Sequence, residues 1–137
     1  KMALMDIPDI SQPFRSIARI LRSGGTFVAA LLHPCFETPF SVPFERMDVD
    51  DVGKFRGLRV QRYFDEGHWN SGGTGVRGHV GANHRTVSTY INELLEAGFH
   101  LARLDEPQMN AGQVGSVEAQ MSQHIPRILF WKVQLSS

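Results

Sequence analysis

The segment 17–34 limits the possible folds of this chain most, because a helix, a stop signal and an apolar strand follow one another within it. Ile17 and Leu21 belong to one apolar stripe, since residues at this spacing share a helix face. Gly24 is suited to end the helix, because glycine adopts the left-handed conformation without steric cost. The unbroken apolar run 26–32 then predicts a strand of a parallel sheet that is covered on both faces, as in α/β proteins.

A second helix and a closing pair of strands are predicted in the last third of the chain. Thr86 is a suitable N-cap for a helix over residues 86–97, and Gly98 lies just past its end. The buried stripe of this helix is expected to contain Val87, Ile91, Leu94 and Leu95. Residues 99–104 predict a short strand, and the apolar stretch 127–135 predicts a strand inside a sheet rather than at its edge.

The rest of the chain carries weaker signals. Ser11 is a plausible N-cap for the first helix, and Ser116 for a short helix that ends at His124. Residues 58–64 alternate between apolar and polar types and predict a strand, with a returning strand over 76–84 that three glycines weaken. These segments favour an insertion between the first strand and the second helix, and its aromatic content indicates that it packs against something.

Composition favours a single globular domain. With 137 residues, of which 42% are hydrophobic, the chain is long enough for one core and too short for two domains. Fourteen basic residues balance fourteen acidic ones without forming a block of like charge, so no nucleic-acid or membrane surface is expected. Cys35 is the only cysteine, and no apolar run reaches the length of a membrane-spanning helix. The expected location is therefore the cytoplasm.

Several short motifs occur in an order that resembles a known family. They are LMDIPD at residues 4–9, RILRSGG at 19–25, a strand that ends in HP, HRTVSTYINELLEAGF at 84–99, and EP at 106–107. Together they resemble the second half of a class I S-adenosylmethionine (SAM) dependent methyltransferase, of the broad type-11 group that acts on small molecules. The resemblance implies an α/β fold: a partial Rossmann-like sheet made of strands five to seven, with flanking helices and an inserted lid.

This resemblance assigns residues 1–137 to the C-terminal part of a methyltransferase domain, with 35–84 as a substrate-side insertion and SAM as cofactor. A glycine-rich turn that follows a strand and cradles the cofactor is expected in such folds, but residues 72–75 are better explained as a loop. The alternative function is therefore a binding or assembly module without catalysis. In either case, self-association or pairing with a chain that carries the front half is expected, because an exposed apolar strand edge invites pairing.

Two points in the chain qualify for ligand binding, because open α/β sheets bind ligands outside the C-terminal ends of their strands. They are residues 2–6 and 33–36. His33 is suited to proton transfer, since imidazole exchanges protons near neutral pH, although a structural histidine is an equally good interpretation. Asp6 is a candidate for binding the substrate or accepting its proton, or it only initiates a turn.

The resemblance extends these candidates to the cofactor and the lid. It implies that the segment after strand four lines the cofactor and that the segment beginning at His84 closes over the substrate. The candidates are His33 and His84 for catalysis, Met2, Ala3 and Met5 for the cofactor, and Asp6, Tyr63, Trp69, His79, Arg85 and Tyr90 for the substrate. Core filling by the methionines and aromatic residues, and an ion pair of Arg85 with a carboxylate, remain open alternatives. No metal is expected, because the histidines lack the spacing of a zinc site.

Overall fold

The fold was examined in a computed structural model that describes residues 3–37, 47–70, 76–108 and 116–137. Helices and strands alternate through most of this part of the chain. In chain order the elements are a 3-10 turn at Leu4–Asp6, α1 (Ser11–Ile20), β1 (Thr26–Leu32), β2 (Met47–Val49), β3 (Phe55–Leu58), β4 (Gly67–Trp69), α2 (Val76–Val80), β5 (Ala82–His84), α3 (Val87–Glu96), β6 (Phe99–Asp105), α4 (Val117–His124) and β7 (Ile128–Leu135).

The main sheet has three strands in the order β1-β7-β6, with β7 antiparallel to both neighbours. Pairing on both sides makes β7 the central strand. Leu129, Trp131 and Val133 are buried while Phe130 and Lys132 are exposed, so one face of β7 covers the core. The prediction that the last strand lies inside a sheet is therefore confirmed. Since β1 and β6 both run antiparallel to β7, they are parallel to each other, and their C-terminal ends lie at the same edge of the sheet.

Helices α1 and α3 supply most of the helical side of the core. The predicted stripe of α1 is confirmed, since Phe14 is fully buried and Ile17 and Leu21 pack against the core. In α3, Leu94 is buried, but the prediction for Leu95 is wrong because 48% of its surface is exposed. The buried core consists of Met5, Ile10, Phe14, Leu31, Tyr90, Leu94, Phe99, Leu129, Trp131 and Val133.

The prediction that β1 is covered on both faces of a parallel sheet is wrong for this chain. Among the described residues β1 has one partner strand, β7, and the pairing is antiparallel. Leu31 is buried, whereas Val28 on the opposite face is 60% exposed. An apolar run shows that a strand can be covered on two faces, but the covering elements have to come from elsewhere in the fold.

Helix boundaries largely follow the local signals. Thr86 caps α3, and its side chain accepts a hydrogen bond from the backbone N–H of Thr89. Gly98 directly follows the C-cap of α3 with a positive φ angle of 91°, as expected at a helix end. The prediction that Gly24 ends α1 is wrong, because the helix ends at Ile20 with an extended C-cap at Leu21, and Gly24 lies in the turn before β1 at φ 72°. The prediction for Ser11 is wrong, because α1 begins at Ser11 itself and the Asp9 carboxylate accepts from its backbone N–H.

The insertion forms two antiparallel ladders in its described parts, β2 with β3 and β4 with β5. The strand predicted over 58–64 lies earlier, at Phe55–Leu58. The strand predicted over 76–84 is instead a short helix followed by β5, with Gly81 between them at φ 71°. A side chain at this glycine would collide with the Trp69 carbonyl and the His68 ring, so the close approach requires glycine. Residues 72–75 lie outside the described part.

Candidate functional site

His33 follows β1 at the sheet edge where β1 and β6 end, and its ring is held at both nitrogens. The backbone N–H of Cys35 donates to Nδ1 at 3.2 Å, so Nδ1 acts as an acceptor. The proton of the neutral ring therefore resides on Nε2, which lies 2.6 Å from Glu106 Oε1. His33 is 2% exposed, whereas the Glu106 side chain is 52% exposed. A ligand at this edge would reach the carboxylate before the imidazole.

Arg85 joins the start of α3 to the segment after the 3-10 turn. Its Nη2 donates to the carbonyl oxygens of Ile7 and Pro8, both at 2.6 Å. Its guanidinium lies over the ring of Tyr90, with Cζ 5.8 Å from the ring centroid. Arg85 is 7% exposed, and within the described residues its buried Nη1 makes no hydrogen bond of acceptable geometry. Arg85 therefore holds the backbone through Nη2, while Nη1 has no hydrogen-bond partner in the part of the chain that the structure describes.

A cavity of about 30 Å³ adjoins Arg85 at the junction of the sheet and the insertion. The segment around the 3-10 turn contributes Met5, whose carbonyl accepts from Asn83 Nδ2 at 3.3 Å. Tyr90 is 2% exposed, and burial raises its pKa, an effect that a side-chain hydrogen bond with Arg85 and the positive charge of Arg85 partly oppose. The cavity is lined by Met5, Leu31, Leu32, Pro34, Glu37, Trp69, Ala82, Asn83, His84, Arg85 and Tyr90.

His84 closes β5 and fastens the insertion. Its Nε2 lies 2.7 Å from the carbonyl oxygen of Tyr63, which can only accept, so Nε2 carries the ring proton. The Tyr63 hydroxyl accepts from the backbone N–H of Val87 at 2.8 Å. Burial raises the pKa of Tyr63, and the neighbouring Cys35 thiol adds to this effect. Tyr63 thus connects its own segment to β5 through its carbonyl oxygen and to the first turn of α3 through its hydroxyl.

Glu66 provides a second connection at the same helix end. Its Oε1 accepts from the backbone N–H of Thr86 at 2.7 Å, from the Thr86 hydroxyl at 2.8 Å and from the Thr89 hydroxyl at 2.5 Å. Burial opposes ionisation, but the hydrogen bonds from Thr89 and Thr86 lower the pKa of Glu66 below its ordinary value. The N-terminal end of a helix also favours a negative charge. Glu66 is therefore an ionised cap supplied by the insertion.

The structure brings together five of the predicted site residues and separates the others. Met5, Trp69, His84, Arg85 and Tyr90 line the cavity, and Tyr63 is hydrogen-bonded to one of them. Ala3, Asp6 and His79 are exposed, and His33 lies at the strand ends without lining the cavity. Met2 lies outside the described residues.

Sequence reasoning missed Glu66 and Glu106 as site residues. Glu106 was recognisable only as part of the EP motif, and Glu66 had no local signal, because its partners lie about twenty residues further along the chain. Among the residues that the structure describes, no group of three or more histidine, cysteine, aspartate or glutamate side chains is arranged to hold a metal ion. In the same part of the chain, no helix combines the length and apolar character needed to cross a membrane.

Two solved structures resemble this chain over nearly its whole length. One is a protein from Listeria monocytogenes assigned as an S-adenosylmethionine-dependent methyltransferase, with 27% sequence identity and a TM-score of 0.74 over 99% of this chain. The other is an S-adenosylmethionine-dependent methyltransferase from Mesorhizobium loti, with 24% identity and a TM-score of 0.70 over 97% of this chain. No protein-family model and no curated protein matches the sequence.

The chain spans 59% of the Listeria protein and 58% of the Mesorhizobium protein. The mixed α/β architecture described above is therefore that of the matched part of these methyltransferases. This agrees with the fold class that the sequence motifs implied.

Proposed function

We propose that this chain is part of a SAM-dependent methyltransferase that transfers a methyl group to a small molecule. The supporting observation is the convergence of Arg85, Tyr90, His84 and Trp69 on one cavity beside the C-terminal sheet edge of a methyltransferase fold. Open α/β sheets bind ligands at that edge. Small-molecule sites are concave and carry a few polar groups on a largely apolar lining, which matches the composition of this lining.

The segment around the 3-10 turn fits one wall of a cofactor site. Ala3 lines a groove of about 540 Å³ that runs along β1 and includes Ile17 and Phe27. Met5 is anchored by Asn83 and buried between this segment and the cavity. SAM supplies an electrophilic methyl group on a sulfonium, and the protein has to align the acceptor with it and exclude water. We assign Ala3 and Met5 to the cofactor side on this basis, and Met2 because the sequence resemblance assigns it to the same segment.

The proton-accepting roles follow from the hydrogen bonds of the two histidines. His84 uses Nε2 to hold the insertion, which leaves Nδ1 as the proton acceptor of the neutral ring. His33 donates from Nε2 to Glu106 and accepts from the Cys35 backbone at Nδ1, so the half-exposed carboxylate takes the proton and His33 holds that carboxylate in place. Asp6, Tyr63, Trp69, His79, Arg85 and Tyr90 are assigned to the substrate side, with Arg85 and Tyr90 nearest to the cavity.

Calorimetric titration with S-adenosylhomocysteine tests the proposal. The product of SAM-dependent transfer fills the same cofactor site, so micromolar binding by the 137-residue chain is expected if its segments form enough of that site. A parallel titration includes the front half of the fold, supplied as a separate polypeptide or by extension of the chain. Failure to bind in both preparations would rule out the methyltransferase assignment.

An assembly role is the second candidate, and the uncovered sheet face is the observation that favours it. Val28 and Phe130 lie on this face, beside a groove of about 560 Å³ that Arg103 and Lys132 also line. Exposed apolar patches of this kind mark interaction surfaces. The edge of β1 away from β7 has no partner strand among the described residues, and such an edge can pair with another chain. We therefore propose self-association or pairing with a chain that carries the front half. Light scattering at increasing concentration tests this, and a monomer at every concentration, alone and with the front half, would contradict it.

A further inference from the structure

The hydrogen-bond donors of Arg85 are only partly used. A guanidinium carries five N–H donors and stays charged at all physiological pH values. The two N–H groups of Nη2 reach the carbonyl oxygens of Ile7 and Pro8, which are neutral acceptors. Those of Nη1 are buried without a partner among the described residues. A buried charge and a buried unpaired donor are both unfavourable, so this arrangement calls for an acceptor, preferably an anionic one.

None of the ion pairs formed within the described residues includes Arg85. Glu37 also lines the cavity, but its Oε1 accepts from Arg127 Nε at 2.7 Å. The negative charge of Glu37 is thus already matched by Arg127. The Tyr90 hydroxyl interacts with the Arg85 side chain through a hydrogen bond as well as through its charge, but it is a neutral partner near neutral pH, because burial raises its pKa further.

The size of the cavity limits what can reach this guanidinium. About 30 Å³ is room for one or two water molecules or for a planar group of similar size. A carboxylate group fits within this volume, with the rest of the ligand outside the cavity. Trp69 and His84 belong to the insertion, which is the proposed substrate side, so a ligand group here would come from the acceptor.

We propose that the cavity beside Arg85 binds a carboxylate group of the methyl acceptor, with Nη1 of Arg85 as donor. This inference rests on the proposed function and adds the chemical class of the substrate, a small carboxylic acid. Tyr90 forms the aromatic wall under the guanidinium, and the two backbone carbonyls hold the guanidinium in place. Charge-assisted hydrogen bonds of this kind are about twice as strong as neutral ones.

The test is an NMR titration of the chain labelled with ¹⁵N-arginine, with formate and acetate as probes and formamide and acetamide as neutral controls. One arginine side-chain signal, absent from Arg85→Lys, is expected to shift saturably with the acids. The apparent affinity for acetate should exceed that for acetamide by about tenfold or more, because only the carboxylate adds Coulomb attraction between two charges to the hydrogen bond. Arg103→Lys is the matched control, since Arg103 is exposed and paired with Asp105, and it should leave the response unchanged. Equal responses to acetate and acetamide would overturn the proposal.

Repeating the titration with saturating S-adenosylhomocysteine separates the possible sources of the carboxylate. An acetate response that persists in the complex assigns the cavity to the acceptor, as proposed. Loss of the response by competition would assign it to the cofactor's own carboxylate and overturn the inference. Cofactor binding without an acetate response removes this inference and leaves the proposed function intact. The reverse result, acetate binding without any cofactor binding, removes methyl transfer and leaves only an anion site.

Discussion

The strongest structural prediction concerns Glu66, which connects the insertion to the first turn of α3. Replacing Glu66 with alanine removes the acceptor for the backbone N–H of Thr86 and for the hydroxyls of Thr86 and Thr89. Loss of a helix N-cap interaction costs about 0.5–2 kcal/mol. Since Glu66 is exposed, we expect about 1 kcal/mol of lost unfolding free energy, which lowers the Tm by about 3–4 °C in a chain of this length.

The pH dependence of this effect has a defined sign. The folded-state pKa of Glu66 is lowered, so its contribution to stability is fully present above about pH 4.3, the ordinary value of a glutamate, and is lost as the pH falls through the folded-state pKa. Thermal unfolding of the wild type and Glu66→Gln, followed by circular dichroism from pH 7 to pH 3, measures this difference. The two proteins are expected to converge at the acidic end of that range.

The matched control is Glu96→Ala, which removes the same side chain from the opposite end of α3. Glu96 is exposed in the last turn, where a negative charge is unfavourable, so its loss should leave stability unchanged or slightly raised. Equal Tm values for Glu66→Ala and Glu96→Ala at pH 7 would refute the role assigned to Glu66.

Two further predictions follow from the site. Gly81→Ala should disrupt the β4–β5 ladder, because the added methyl group meets the Trp69 carbonyl and the φ angle is positive; faster amide hydrogen exchange over Ala82–His84 measures this. Gly57→Ala, with open space around the new methyl group, should leave that exchange unchanged. The ¹⁵N NMR shifts of His33 should show a proton on Nε2 and none on Nδ1 in the neutral ring, whereas exposed His124 should show a mixture of tautomers.

These two predictions have clear contrary outcomes. Unchanged exchange in Gly81→Ala would contradict the close approach between Gly81 and the Trp69 carbonyl. A proton on Nδ1 of His33 would be incompatible with the hydrogen bond from the Cys35 backbone and would release Glu106 from its partner.

Much of the fold could be predicted because its signals are local. Thr86 and Gly98 mark the ends of α3 through the geometry of a few neighbouring residues, whereas α1 ends at Ile20, before the glycine that was expected to stop it. The site was predicted less completely. Arg85 and Tyr90 were found through a motif, but Glu66 was not, since its partners lie across a loop.

The sequence by itself determined where α1, α3, β1, β6 and β7 lie, because capping, apolar runs and apolar periodicity act over a few residues. It also determined that β7 is interior, through the apolar stretch 127–135 and its central aromatic residue. Only the tertiary structure decided that β1 is covered on one face and that Arg85 keeps a buried donor beside a cavity. The physical reason is that burial and hydrogen-bond satisfaction depend on which distant segments meet, and a local pattern does not contain that information.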